Sequence, residues 1–245
     1  MKKSIYTFKI LCAALITAGI TLYISSCKKD NSSSTPSLAS TTVTEADAAQ
    51  FTTDAISPAT GGLDDQLVST AALYTSVPLG CGVEKDTTIV KSSSSGASPS
   101  FNYTLAWNFK LNCNGIAPIN VAFNYTGKGV YDGPRMSATD TSSAQLVLAG
   151  SSSGYVLTAN YTRVGVATSK IAKQYNFSTT LNILSTNINV DKTTNEITSG
   201  IATVTIVATA TNGKSFTFGG KLTFLGNKKG SLVLNSGTTY AISWS

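Results

Sequence analysis

Gly150-Ser151-Ser152-Ser153-Gly154 matches the G-x-S-x-G pattern, with Ser152 in the place of a nucleophile. That pattern works by holding a serine on a strand-to-helix elbow, within reach of a histidine base. The 245-residue chain contains no histidine, and the stretch lies between two alternating patterns typical of strands. Ser152 therefore reads as a turn residue. The same absence removes the histidine-dependent hydrolases, the common zinc sites and most acid–base schemes. Paired carboxylates are another route to hydrolysis, of glycosidic bonds for example. The candidates are Asp47, Asp54, Asp64, Asp65, Glu84, Asp86, Asp132, Asp140, Asp191 and Glu196. Most fall in expected loops or helix ends, where solvated or capping roles are commonplace. Asp132-Gly133-Pro134-Arg135 reads as a turn across which Asp132 and Arg135 can pair. No phosphate-cradling loop or dinucleotide fingerprint is present. The expectation is a chain that is not an enzyme and takes no cofactor and no metal.

The remaining reactive side chains are four cysteines. Cys27 closes the run Ile24-Ser25-Ser26-Cys27, which follows a basic start (Lys2, Lys3, Lys9) and an apolar stretch from Ile10 to Ile24. That stretch is shorter than the roughly 20 residues a helix needs to cross a bilayer. A basic start, a short apolar core and small residues at its end mark a cleaved export signal. The arrangement resembles a bacterial lipoprotein signal, with Ile24 where Leu is usual and Ser26 where Gly or Ala is commoner. The resemblance implies cleavage before Cys27 and acylation of its thiol, palmitate among the chains. A protein carrying several acyl chains stays on the membrane, since each buried CH₂ contributes about 0.8 kcal/mol. Lys28 and Lys29 would add about 1 kcal/mol each beside anionic headgroups. The competing readings are an ordinary secretory signal and an uncleaved anchor.

Cys12 leaves with residues 1–26 and Cys27 is taken by lipid, so Cys81 and Cys113 remain in an oxidising compartment. A bridge between them is the favoured reading. Two free thiols or a metal pair are the competing ones, and a zinc site built on two thiols and no histidine is poorly supplied.

Charge narrows the partners. The formal charge of +6 falls by three when Lys2, Lys3 and Lys9 leave with the signal. The other lysines are scattered without interleaved aromatics, so no nucleic-acid partner is expected. The partner that is expected is the membrane, through the acylated N-terminus. Localisation follows as the bacterial cell envelope, most simply the outer membrane, on either its periplasmic or its surface side.

The elements that carry these residues are mainly β. Residues 27–43 are rich in Ser and Thr and read as a flexible tether. Residues 44–245 read as a single β domain. Thr44 followed by Glu45 and Asp47 predicts a capped helix over about 45–55, stopped by Ser57-Pro58 and Gly61-Gly62. Residues 63–78 fit either helix or strand. Downstream, Phe101, Tyr103, Leu105, Trp107, Phe109, Leu111 and Cys113 alternate with Asn102, Thr104, Ala106, Asn108, Lys110 and Asn112. A period of two means one buried face, and it places Cys113 on that face, under the sheet. Asn114-Gly115 supplies a tight turn, and Ile119, Val121, Phe123 and Tyr125 continue inward. After Ile183 the parity shifts to Leu184, Ile188 and Val190, which predicts a β-bulge. The tetrapeptide Phe101-Asn-Tyr-Thr104 recurs in related form at 123–126, 159–162 and 175–178, too irregularly for a solenoid. It reads as strand chemistry, aromatics on one face and Asn or Thr on the other.

The whole is an antiparallel meander of about ten strands, a strongly curved sheet, half-barrel or sandwich with one short N-terminal helix. Long strands curl, and curling creates an apolar concave face that Phe51 and its helix can plug. The combination of anchor, short helix, Cys pair and aromatic meander resembles uncharacterised lipoproteins of the Bacteroidota, a resemblance that implies no activity. Two functions follow as expectations. The first is a non-enzymatic envelope lipoprotein that binds or scaffolds. The second is a carrier of lipid or another hydrophobic ligand in the concave face, with Trp107, Trp244 and the tyrosines lining it or forming the core.

Overall fold

Helix formation starts at Thr44. Its backbone is extended, its Oγ accepts from the Asp47 N–H at 3.2 Å, and the Asp47 carboxylate accepts from the Thr44 N–H at 2.8 Å. This reciprocal cap satisfies amides that would otherwise lack partners and opens helix α1, Glu45–Ile56. The computed structural model describes residues 42–76, 80–171 and 175–244, so the expected signal, Cys27 and most of the expected tether lie outside the described residues. Val43 is buried beside the start of α1.

A 3-10 turn at Pro58–Thr60 follows, closed by Gly61 at φ +65°. A side chain at Gly61 would also press on the Tyr103 ring, 3.1 Å from the Cβ position. The ambiguous segment then forms a second helix, α2, Leu63–Ser76. Leu63, Leu67 and Ala71 recur at helical spacing and are fully buried, and Asp64 and Asp65 favour the helix start. The single expected helix is therefore two helices joined by a turn.

Ten strands follow: β1 (Glu84–Ser92), β2 (Ser100–Asn114), β3 (Ala117–Asp132), β4 (Met136–Gly150), β5 (Tyr155–Ser169), β6 (Tyr175–Val190), β7 (Ile197–Ala210), β8 (Ser215–Gly226), β9 (Lys229–Leu234) and β10 (Thr239–Ser243). They form one antiparallel sheet in sequence order, with β1 and β10 as its edges. The sheet is a meander that does not close. Flat, ten strands at about 4.8 Å spacing would spread over roughly 43 Å. Yet the two short helices touch β2 through Trp107, β3 through Tyr131, β5 through Arg163, β6 through Phe177 and the end of β10 through Trp244. Only a sheet curled around the helices allows that. The core is the inner face plus the helices, one cluster that includes Phe51, Ile56, Trp107, Phe123, Tyr161 and Phe177.

Two bulges move side chains from their expected faces. Asn112 pairs with Asn120 and Cys113 with Pro118, so Ile119 is the unpaired extra residue and is 52% exposed. Leu184 pairs with Thr203 on the outer face and is 56% exposed. The parity change of β6 lies after it, where Ser185 and Ile188 both point inward.

Candidate functional site

Every charged or amide side chain of the helical segment that points at the sheet meets a designated strand residue. At the start of α1, Asp47 accepts from Ser169 at 2.6 Å and from the Tyr175 hydroxyl, tying the helix to β5 and β6. Two turns further along, Asp54 accepts from Gln50 at 2.9 Å and from Tyr131 at 2.7 Å. Burial pushes its carboxyl up to about 6, against the lowering effect of those hydrogen bonds. On α2, Asp65 pairs with Lys91 at 2.6 Å, Gln66 accepts from the Trp107 indole at 2.9 Å, and Asp64 accepts from Trp244 at 3.2 Å. Burial likewise raises Asp64 to about 6.

Arg163 is the centre of this arrangement. It points inward from β5, is 9% exposed, and its guanidinium pairs with Asp140 of β4 at 2.7 Å. It also donates to the Asp54 carbonyl at 2.9 Å and the Thr60 carbonyl at 3.2 Å, and lies 5.1 Å over the Tyr131 ring. A buried ion pair contributes little net stability, but a missing half is costly. Its effect here is positional: the guanidinium satisfies the carbonyls of the turn between α1 and α2. Gly165 is required beside it, because a Cβ there would lie 2.4 Å from the Thr139 carbonyl.

Two small cavities flank Arg163, of about 10 and about 20 Å³. Each has room for about one water. The buried hydroxyls of Tyr125 and Tyr161 lie near one another, with Ser142 and Arg163 close by, but neither makes a hydrogen bond of ordinary geometry. Asp54 and Asp140 both lie beside the Arg163 guanidinium, and Asp54 also borders a recess that opens towards solvent. Among the described residues no group of three or more Cys, Asp or Glu is arranged to hold a metal ion.

The other candidates are scattered. Ser152 sits in the β4–β5 hairpin turn, closed by a Ser151 N–H to Gly154 carbonyl bond of 2.9 Å. Asp132 pairs with Lys170 rather than Arg135, because Lys170 follows β5 onto the same corner. Glu84 pairs with Lys110 and Asp86 accepts from Asn108 at 3.0 Å, both on the outer surface. Asp191 caps its own turn at Thr193 and Thr194, and backbone donors there hold its pKa below the ordinary value. Glu196 contributes its carbonyl to the same turn. A disulfide joins Cys81 to Cys113. It lies at the tip of the β2–β3 hairpin, with Cys81 exposed and Cys113 half-buried against the margin of the core cluster, on the same inward parity as Leu111. Trp107 and Trp244 are core residues with satisfied indole N–H groups.

Three concave features reach solvent. On the outer face of the sheet a trough of about 500 Å³ is floored by Asn102, Val130, Thr139, Val166 and Asn176. A groove of about 380 Å³ runs between α1 and β10, lined by Ala46, Ala49, Gln50, Thr53 and Arg135. Past Thr53 and Arg135 it continues into a recess of about 140 Å³ bounded by Asp54, Pro99 and Trp244.

Protein-family models, curated proteins and solved structures give no match to this chain.

Proposed function

We propose that this chain is a lipid-anchored envelope lipoprotein, held in the outer membrane through acylated Cys27, that acts by binding or scaffolding rather than by catalysis. The anchor rests on the run Ile24-Ser25-Ser26-Cys27 after its basic, apolar leader. The observation that supports a scaffold over a carrier is the filled inner face of the sheet. Phe51 packs edge-on against Phe177 at 4.9 Å, and Gln66 answers Trp107 across the same layer. The small cavities beside Arg163 hold about 10 and 20 Å³, whereas a small-molecule pocket takes about 300–1,000 Å³. The carrier reading would require the helices to leave, breaking the contacts of Asp47, Asp54, Asp64 and Asp65 together.

The test of the anchor is metabolic labelling with a radioactive or clickable fatty acid in wild-type and Cys27→Ala proteins. Labelled, membrane-pelleting wild type and unlabelled, soluble variant are expected. Equal pelleting and labelling of both would contradict it.

A further inference from the structure

The groove between α1 and β10 has one wall made of open strand edge. β10 bonds to β9 through its even-numbered residues: Thr238 accepts from the Leu234 N–H at 2.9 Å, and the Trp244 N–H donates to Lys228 at 3.1 Å. Backbone groups alternate sides along an antiparallel strand. The N–H and C=O groups of Thr239, Ala241 and Ser243 therefore turn away from β9, on the side of the groove, and among the described residues no other strand pairs with β10. The opposite wall is a stripe of α1, with Ala46, Ala49, Gln50 and Thr53 at helical spacing. Ala46, Ala49 and Thr53 are too short to reach the edge, so the helix covers it without filling the space beside it.

The ends of the groove carry opposite charges. Glu45 reaches the hydroxyls of Ser236, Thr238 and Tyr240, which lower its pKa and keep it ionised. Arg135 stands at the other end, and among the described residues no carboxylate lies within ion-pair distance of its guanidinium. Asp54, the nearest acid lining the adjoining recess, is taken up by Tyr131 and Gln50. Exposed edges are ordinarily blunted by short length, charge, proline, a bulge or a covering helix; β10 is short, at 5 residues, and α1 stands over it across the groove. β10 carries no charged residue from Thr239 to Ser243.

We propose that this groove binds an extended peptide segment that pairs with the free edge of β10 and places an acidic group against Arg135. The mode is strand addition, in which main-chain hydrogen bonds supply affinity and flanking side chains supply selectivity. At about 3.4 Å per residue, the edge from Thr239 to Ser243 accommodates a segment of roughly four residues. The proposal rests on the binding role inferred above and gives it a site and a ligand class.

The experiment uses the full mature protein and fluorescence anisotropy of a labelled, end-blocked peptide, Thr-Val-Thr-Val-Asp. Saturable binding is expected, weakened tenfold or more by N-methylation of alternate peptide amides and several-fold by Asn in place of the acid. Arg135→Gln, at an exposed position, is expected to reproduce the loss caused by the Asn peptide. Ala241→Pro removes one groove-facing donor while leaving the β9 pairing alone, and edge strands tolerate proline; it is expected to weaken binding as N-methylation does. No saturable binding up to 1 mM, or binding that ignores N-methylation, would overturn strand addition. Binding that ignores Arg135→Gln would overturn the acidic-end assignment. None of these failures would touch the anchor, whose readout is acyl labelling.

Discussion

The Tyr131 hydroxyl donates to the Asp54 carboxylate across 2.7 Å, joining residues 77 positions apart on a strand and on the helix that fills the sheet. The bond is buried, so it holds the helix in place and exposes Asp54 to the cost of ionising away from water.

That cost makes stability depend on pH. Burial raises Asp54 from 3.8 to about 6, and Asp64 is raised alike. Between about pH 4 and 6 the unfolded chain has already lost protons that the folded chain retains. Stability is therefore greatest below the unfolded pKa and falls as pH rises through the folded one. Two pKa units correspond to about 3 kcal/mol for Asp54. Urea unfolding from pH 4 to 7 is expected to show the decline, and Asp54→Asn to flatten it while keeping an acceptor for Tyr131. An unchanged slope in that variant would refute the assignment.

Arg163 and Asp140 form the most consequential buried pair. Arg163→Met strands the Asp140 carboxylate, 9% exposed, and is expected to cost about 3–5 kcal/mol in urea unfolding. The double variant Arg163→Met, Asp140→Leu is expected to recover part of that loss. A double variant no more stable than the single one would mean that the bonds from Arg163 to the helical turn, not the ion pair, carry the effect.

The disulfide between Cys81 and Cys113 closes a loop across a sequence separation of 32. Chain entropy assigns such a loop roughly 3.7 kcal/mol. The double variant Cys81→Ser, Cys113→Ser is expected to lose stability of that order. Non-reducing peptide mapping is expected to recover the two cysteines in one cross-linked pair. Two freely alkylated thiols would contradict the bridge.

These sites differ in how far the sequence discloses them. The alternation of residues 101–113 is legible because one face of β2 is buried and the other solvated, and period two records that difference directly. Ile119 and Leu184 defeat the same rule, because each sits next to a register shift that a count of parity cannot place to the residue. Residues 63–76 are ambiguous because burial on one side only leaves few apolar positions, and Gln66 and Thr70 are buried polar residues at helical core positions. Arg163 escapes notice because charge is read as surface. The signal is present nonetheless: Arg163 shares the inward parity of Tyr161, and Asp140 that of Ala138 and Ala144. The groove beside β10 depends on where a helix settles against a strand far along the chain, which no local pattern encodes.

The proposed lipid anchor and the helix-filled sheet make opposite demands on where lipid is found: covalently on Cys27, and not within the fold. Native followed by denaturing mass spectrometry of the detergent-extracted mature protein tests both in one measurement. The account predicts a chain beginning at Cys27 with covalent acyl mass on that residue, and the same mass before and after denaturation. A chain without acyl mass, or a reproducible lipid that departs on denaturation, would contradict it.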